Sequence, residues 1–298
     1  VNYSLAVDIG GTKIAAGVMN ENQEWLSQIT KKSDASSSEN MYLSLLGSMQ
    51  TAIQTAGLES GNISNLGVTV PGKVDIENGI AVYQNNLPWR NFPLKQRLIE
   101  SFPGSSITME HDVVAAALGE WGARVLEKEM LIYVTVSTGL SASIIFEGKP
   151  LRGEGMAGEI GFYPVNGRTL EACASGSAME KELKAQYGIA SLREGMKLWQ
   201  EGKKELTRFF EKKAYHIALG LFMVTATLDP HKIVIGGGVI SNQPAFYKLI
   251  QLQYEKLCKH PIQEAWINKL EKSKLGDSSA LFGAAMKASS KTPVLKEG

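Results

Sequence analysis

Along its first third the chain sets short apolar runs against one longer stretch with helical spacing. "SLAVDIGGTKIAAGVM" predicts two strands joined at Gly10 and Gly11, because neither apolar run is long enough for a helix. The next segment, "NENQEWLSQITKKSDASSSEN", is polar and reads as a connection. "MYLSLLGSMQTAIQTAGL" places Leu43, Leu46, Met49 and Ile53 at three- and four-residue intervals, which predicts an amphipathic helix. "NLGVTVPG" predicts a short buried strand stopped by Pro-Gly.

The pattern then begins again. "SSITMEHDVVAAALGEW" predicts a strand turning into a helix, and "MLIYVTVSTGLSASIIFEGK" predicts strand, small-residue turn and strand, like the opening hairpin. "YHIALGLFMVTATLDPHKIVIGGGVI" puts Ile217, Leu221, Val224 and Leu228 on one helical face, breaks at Asp-Pro, and resumes as an apolar strand ending in Gly236, Gly237 and Gly238. The last residues, "KASSKTPVLKEG", read as a frayed tail. Two strand-turn-strand units, each followed by alternating strands and helices, predict an internally duplicated α/β architecture in which each half is a mixed sheet flanked by helices.

Composition narrows the class of function. A length of 298 residues with 44% hydrophobic content can fill two cores, and a net charge of +1 from scattered acids and bases leaves no footprint for nucleic acid. Small molecules or further copies of the chain are the expected partners. Cys173 and Cys258 are too few for a disulfide framework or a zinc knot, in keeping with a reducing cytoplasm. No apolar run approaches ~18 residues and no signal-peptide pattern opens the chain, so neither a membrane nor secretion is expected.

Three glycine turns carry candidate chemistry. Glycine at a strand end permits positive φ and lets backbone N–H groups approach an anion. "DIGGTK" lacks both the Walker A spacing and G-x-G-x-x-G, which leaves a hairpin phosphate cradle or a plain tight turn. Asp8, an acid inside an apolar strand, favours the cradle, since burial is costly unless it meets Mg²⁺, that ion's waters or hydrogen-bond donors. "STGLSAS", with Gly139, occupies the matching turn of the second half, and "IGGGV" offers backbone for a ring or ribose to lie against or for a helix to pack on. Asp112 sits where a strand meets a helix. It would serve as an N-cap, or as the base that accepts the proton of an attacking hydroxyl, a role that phosphoryl transfer satisfies by orientation more than by a raised pKa.

Taken in order, "LAVDIGGTKIAAGV", "VPGKVD", "NNLPWRNFPL", "EHDVVAAALGEW", "VTVSTGLSASIIFEGKPLRGEGMAGEIGF", "LEACASGSAM" and "LDPHKIVIGGGVI" resemble the landmarks of the ROK family over nearly the whole chain. The resemblance implies a duplicated ribonuclease-H-like fold of the actin and hexokinase type, with a cleft between two domains. It places a small first domain over 1–113, with 279–298 packed on it, and a larger one over 114–278. It implies transfer of the γ-phosphoryl of ATP, with Mg²⁺, to a sugar hydroxyl, in a cytoplasmic protein expected to form a homodimer.

Position by position, Asp112 falls on the family's catalytic base. Gly10, Gly11, Thr12 and Lys13 fall on the first phosphate loop, Thr138 and Gly139 on the second, and Gly237 with Gly238 on the adenosine site. Gly72, Asn86, His111, Glu159, Phe162 and Glu171 fall on sugar-facing positions, Glu159 and Glu171 as acids that hold hydroxyls; taken alone, either glutamate would be expected in solvent.

The chain also departs from the family pattern. His111 replaces an asparagine and Phe162 a histidine, and "YPVNGRT" stands where relatives carry a zinc motif, so zinc is expected to be absent. Leu140, Ser141, Ala142 and Ser143 replace the glycines usual in the second loop, which is expected to slow turnover. Two readings follow. One is an ATP-dependent sugar kinase acting on N-acetylmannosamine or a β-glucoside, with glucokinase or fructokinase as alternatives; the other is a non-catalytic sugar sensor. Only seven residues precede Asp8, too few for the helix-turn-helix domain of the family's repressors.

Overall fold

The computed structural model describes residues 2–289. From residue 290 on, the expected tail and the rest of the helix expected over 279–298 lie outside the described residues. The chain divides into two units, Val1–Glu127 with Ser278–Gly298, and Lys128–Asp277.

In the first unit the order is β1 (Tyr3–Ile9), β2 (Lys13–Met19), β3 (Trp25–Lys32), α1 (Ser38–Thr55), β4 (Ile63–Val70), β5 (Lys73–Asp75), β6 (Ile80–Tyr83), β7 (Arg90–Phe92), α2 (Leu94–Ser101), β8 (Ser106–His111) and α3 (Asp112–Gly122). A C-terminal helix, Ser279–Ala288, completes it. The main sheet runs β3-β2-β1-β4-β8, with β1 antiparallel to β2 and parallel to β4, and β4 parallel to β8.

Both faces of β1 are covered, which is why its sequence is a continuous apolar run rather than an alternation. Leu5, Val7 and Ile9 share one core with Met41, Leu45 and Met49 of α1, while Ala6 packs with Leu281, Ala284 and Ala285 of the C-terminal helix. That helix approaches α3 so closely that a Cβ on Gly283 would sit 1.8 Å from the Ala115 carbonyl oxygen. This packing keeps α3 in the first unit, so the division expected after residue 113 falls later, after Glu127.

Two sequence expectations are corrected in this unit. The polar connection contains β3, an edge strand whose single buried face is marked by Ser27, the hydroxyl of which donates to the Ala52 carbonyl at 2.6 Å. The buried stripe of α1 is Met41, Leu45, Met49 and Ile53, not the one through Leu43, which is 56% exposed.

The second unit repeats the scheme with β9 (Met130–Val136), β10 (Leu140–Phe146), β11 (Lys149–Pro150), β12 (Pro164–Val165), β13 (Arg168–Thr169), α4 (Leu170–Ala174), α5 (Gly176–Tyr187), α6 (Leu192–Gln200), α7 (Lys204–Leu228), β14 (Lys232–Gly236), α8 (Gly238–Ser241), α9 (Pro244–Leu257) and β15 (Leu270–Lys272). Its sheet, β11-β10-β9-β14-β15, has the same antiparallel and parallel pairings in the same places, so the duplication read from the sequence is the architecture. Ile217, Leu221 and Val224 of α7 are buried, and the helix ends where Asp229 turns left-handed at φ 42° ahead of Pro230. Among the described residues no helix is long and apolar enough to cross a membrane.

Candidate functional site

Each unit presents its candidate residues at the same edge of its sheet, around the turn of its first hairpin. In the first unit Asp8, Thr69 and Glu110 occupy neighbouring register positions on β1, β4 and β8. The Thr69 hydroxyl donates to Asp8 Oδ1 at 2.6 Å, which gives this half-buried acid a donor. Beyond Asp8, the Gly10 N–H donates to the Lys13 carbonyl at 3.0 Å and closes the hairpin. Neither Gly10 nor Gly11 has positive φ. Both are glycines for close approach: a Cβ on Gly10 would lie 2.8 Å from the Lys13 oxygen, and one on Gly11 would lie 2.4 Å from the Asn86 oxygen. The turn is thereby seated on Asn86. Among the described residues the N–H groups of Gly11 and Thr12 donate to no protein acceptor, and Thr12 and Lys13 are exposed.

The same edge carries Gly72, whose φ of +76° and close approach to the Tyr83 carbonyl leave no room for a side chain. His111 is the N-cap of α3, without a side-chain capping bond, and Asp112 is the first helical residue rather than the cap. The helix starts one residue earlier than a capping Asp112 would require. Asp112 Oδ1 accepts the Val113 N–H at 2.9 Å and lies 3.4 Å from His111 Nδ1. Its Oδ2 has no hydrogen-bond partner among the described residues. Below it, buried Glu110 accepts the His111 N–H on Oε1 at 3.0 Å and Lys287 Nζ on Oε2 at 2.8 Å.

In the second unit Ser137, Thr138 and Gly139 join β9 to β10, closed by the Ser137 N–H on the Gly139 carbonyl at 2.9 Å. The start of α5 grips this turn. Gly176 N–H donates to the Ser137 carbonyl at 2.7 Å, and the Ser177 hydroxyl to the Thr138 carbonyl, also at 2.7 Å. Glu171 Oε2 accepts the Leu140 N–H at 2.9 Å. Thr138 and Gly139 keep N–H groups that donate to no protein acceptor among the described residues. Leu140 and Ala142, which stand where glycines were expected, belong to the buried start of β10.

Glu159 is half-buried ahead of a single 3-10 turn, Ile160–Phe162, that leaves Phe162 65% exposed. In place of a zinc motif the chain makes the β12–β13 hairpin, turned by Asn166 at φ 51° and Gly167 at φ 76°, two left-handed positions that Asn-Gly favours. Among the described residues no group of three His, Cys, Asp or Glu is placed to hold a metal ion. The hairpin leads into α4, capped by Thr169 and carrying Glu171 in its first turn. At the far end of α4, Lys213 Nζ donates to the Cys173 carbonyl at 2.9 Å, and His216 hydrogen-bonds the same oxygen.

Gly237, φ +88°, ends β14 where a Cβ would lie 2.5 Å from the Val136 carbonyl; Gly238 is exposed with open space about it. Beside α8 opens a cavity of about 490 Å³ lined by Arg193, Lys197, Asn242 and Gln243 among others. In each unit, a hairpin turn with two free N–H groups is chemically suited to receive an anion. Sequence reasoning did not bring in Thr69, Glu110, Ser177 or Lys287. Only Ser177 left a trace, in the Ser-Gly-Ser run that opens α5.

A model of the ROK family matches residues 4–291. An N-acetyl-D-glucosamine kinase of Histophilus somni is 28% identical over 302 residues, covering 93% of this chain and 96% of its own. The ROK hexokinase of Thermus thermophilus is 29% identical with a TM-score of 0.80, over 97% of this chain and 98% of that one. A ROK family glucokinase of Streptomyces griseus, solved with glucose and AMPPNP, is 25% identical with a TM-score of 0.76, over 96% and 99% of the two chains.

Proposed function

The chain belongs to the ROK family, and on that footing we propose that it is an ATP-dependent kinase of N-acetylhexosamines, with Asp112 as its catalytic base. The observation that carries this reading is the state of Asp112. One oxygen is tied to the Val113 N–H, which orients the carboxylate, and the other is left open to receive a proton. A loose phosphoryl-transfer transition state asks for an oriented hydroxyl more than a strong base, and a fixed carboxylate supplies that.

Bound MgATP supplies the phosphoryl group. In the first unit Gly10, Gly11, Thr12 and Lys13 would hold phosphate and Asp8 would serve the Mg²⁺ ion; in the second unit Thr138 and Gly139 would hold phosphate and Gly237 and Gly238 would receive the ribose. Asn86, His111, Glu159 and Glu171 take sugar hydroxyls, each able to bond two. The hydroxyl proton passes to Asp112 Oδ2 as the sugar oxygen bonds to the γ-phosphorus and the bond from that phosphorus to the departing ADP oxygen breaks.

The substrate class follows from Phe162. A phenyl ring satisfies no hydroxyl, whereas a methyl group packed on the apolar face that Phe162 exposes is favourable. An acetamido substituent meets that requirement, and the resemblance to an N-acetyl-D-glucosamine kinase supports it over a β-glucoside. The test is ADP release with N-acetylmannosamine, N-acetylglucosamine, glucose, fructose and a β-glucoside. An N-acetylhexosamine is expected to give the highest kcat/KM, and Phe162→His to improve glucose more than the amide sugar. Glucose matching every substituted hexose would refute the substrate class. Release of ADP with none of them would refute the kinase reading.

A further inference from the structure

The second-unit turn has two kinds of anchor. Gly176 N–H and the Ser177 hydroxyl come from the start of α5, a 12-residue helix capped by Ser175. The third anchor is a carboxylate on a flexible stem: Glu171 Oε2 on the Leu140 N–H. It presses so near the turn that a Cβ on Gly139 would lie 2.8 Å from that oxygen. Glu171 is exposed, and its Oε1 has no hydrogen-bond partner among the described residues. Glu159, the other acid of this unit's site, has no side-chain hydrogen bond to the turn.

We propose that Glu171 couples sugar occupancy to nucleotide affinity, by holding a sugar hydroxyl on Oε1 while Oε2 fixes the turn whose free N–H groups receive phosphate. The inference rests on the reading above that these residues serve a sugar kinase. A hydroxyl on Oε1 removes rotamer freedom from Glu171 and so raises the occupancy of the Oε2 bond to Leu140. Phosphate then meets a turn already ordered, and the cost of ordering it is removed from nucleotide binding. Linkage requires the reciprocal effect: nucleotide tightens sugar by the same factor.

The test is calorimetric titration with a non-hydrolysable ATP analogue and Mg²⁺, with and without saturating N-acetylmannosamine or N-acetylglucosamine. In the wild type sugar should tighten the analogue about fivefold or more, within the usual range of site coupling. Glu159→Ala should weaken sugar but keep that ratio once sugar is saturating. Glu171→Ala should bring the ratio close to one. Hydrogen exchange on the wild type gives a second readout that needs no variant: sugar alone should slow exchange at Leu140. A wild-type ratio of one with sugar bound, an unchanged ratio in Glu171→Ala, or unaltered exchange at Leu140 would overturn the coupling and leave the kinase reading intact. Failure of every sugar to bind would overturn both.

Discussion

Lys287 Nζ stands 2.8 Å from Glu110 Oε2, joining the C-terminal helix to the strand end that precedes Asp112. The other Glu110 oxygen accepts the His111 N–H, so an ion pair between residues 177 positions apart fixes the backbone at the start of α3. Glu110 is 1% exposed, whereas the lysine is partly solvated.

Lys287→Met would remove the ammonium that faces this buried carboxylate. We expect a loss of about 2–3 kcal/mol, below the full range for a buried pair because Lys287 already reaches water. Adding Glu110→Gln removes the buried charge while keeping an acceptor for His111, so the double variant should melt above the single one by thermal denaturation. A double variant no more stable than Lys287→Met would show that the pair is not what the lysine stabilises.

His216 gives the fold a pH dependence. Burial, then the charges of Lys213 and Lys212, hold its pKa below the ordinary 6.5, although its bond to the Cys173 carbonyl and nearby Glu182 pull the other way. Below that ordinary value the unfolded chain binds a proton that the folded one resists. Stability is therefore fully present above about pH 6.5 and is lost as pH falls toward the depressed folded value. His216→Gln, which retains a donor for Cys173, should flatten the melting temperature between about pH 7 and 5. An equally steep profile in the variant would remove His216 from the account.

The Asn166-Gly167 hairpin ties the 3-10 turn after Glu159 to α4. Leu170 N–H donates to the Tyr163 carbonyl at 2.8 Å, and Val165, Leu170 and Cys173 are buried in one core. Chelation with a strong zinc ligand, followed by return of Mg²⁺, should therefore leave both melting temperature and activity unchanged. Gly167→Val, forced to a φ of 76°, should destabilise by ~1–3 kcal/mol. Stoichiometric zinc by elemental analysis, with loss of stability on its removal, would contradict this.

What the sequence made legible was local. The two hairpin turns, the Asp229-Pro230 stop and the duplicated order of strands all follow from turn chemistry and periodicity within about ten residues. The α1 stripe was misread because the set through Leu43 and the set through Met41 and Leu45 both end on Met49 and Ile53. Only the position of the sheet decides between them. β3 escaped notice as an edge strand with one sparse apolar face. The capping alternative for Asp112 fails because helix ends are ambiguous by a residue, and His111 takes that position. The contacts that brace the site, Lys287 to Glu110 and Glu171 to Leu140, join positions 177 and 31 apart, and no local pattern announces such pairs.

The central claim is that Asp112 accepts the proton, and Asp112→Asn isolates it. Asparagine Oδ1 can keep the bond from the Val113 N–H, now 2.9 Å, so the helix start should survive with melting and sugar affinity near wild type. The atom in place of Oδ2 becomes an amide that cannot take a proton. Measured by coupled ADP release at saturating sugar and MgATP, kcat should fall by about 10²–10⁴-fold with little change in KM. A variant that folds, binds sugar and turns over near the wild-type rate would contradict the account, leaving Asp112 only a residue that steadies the start of α3.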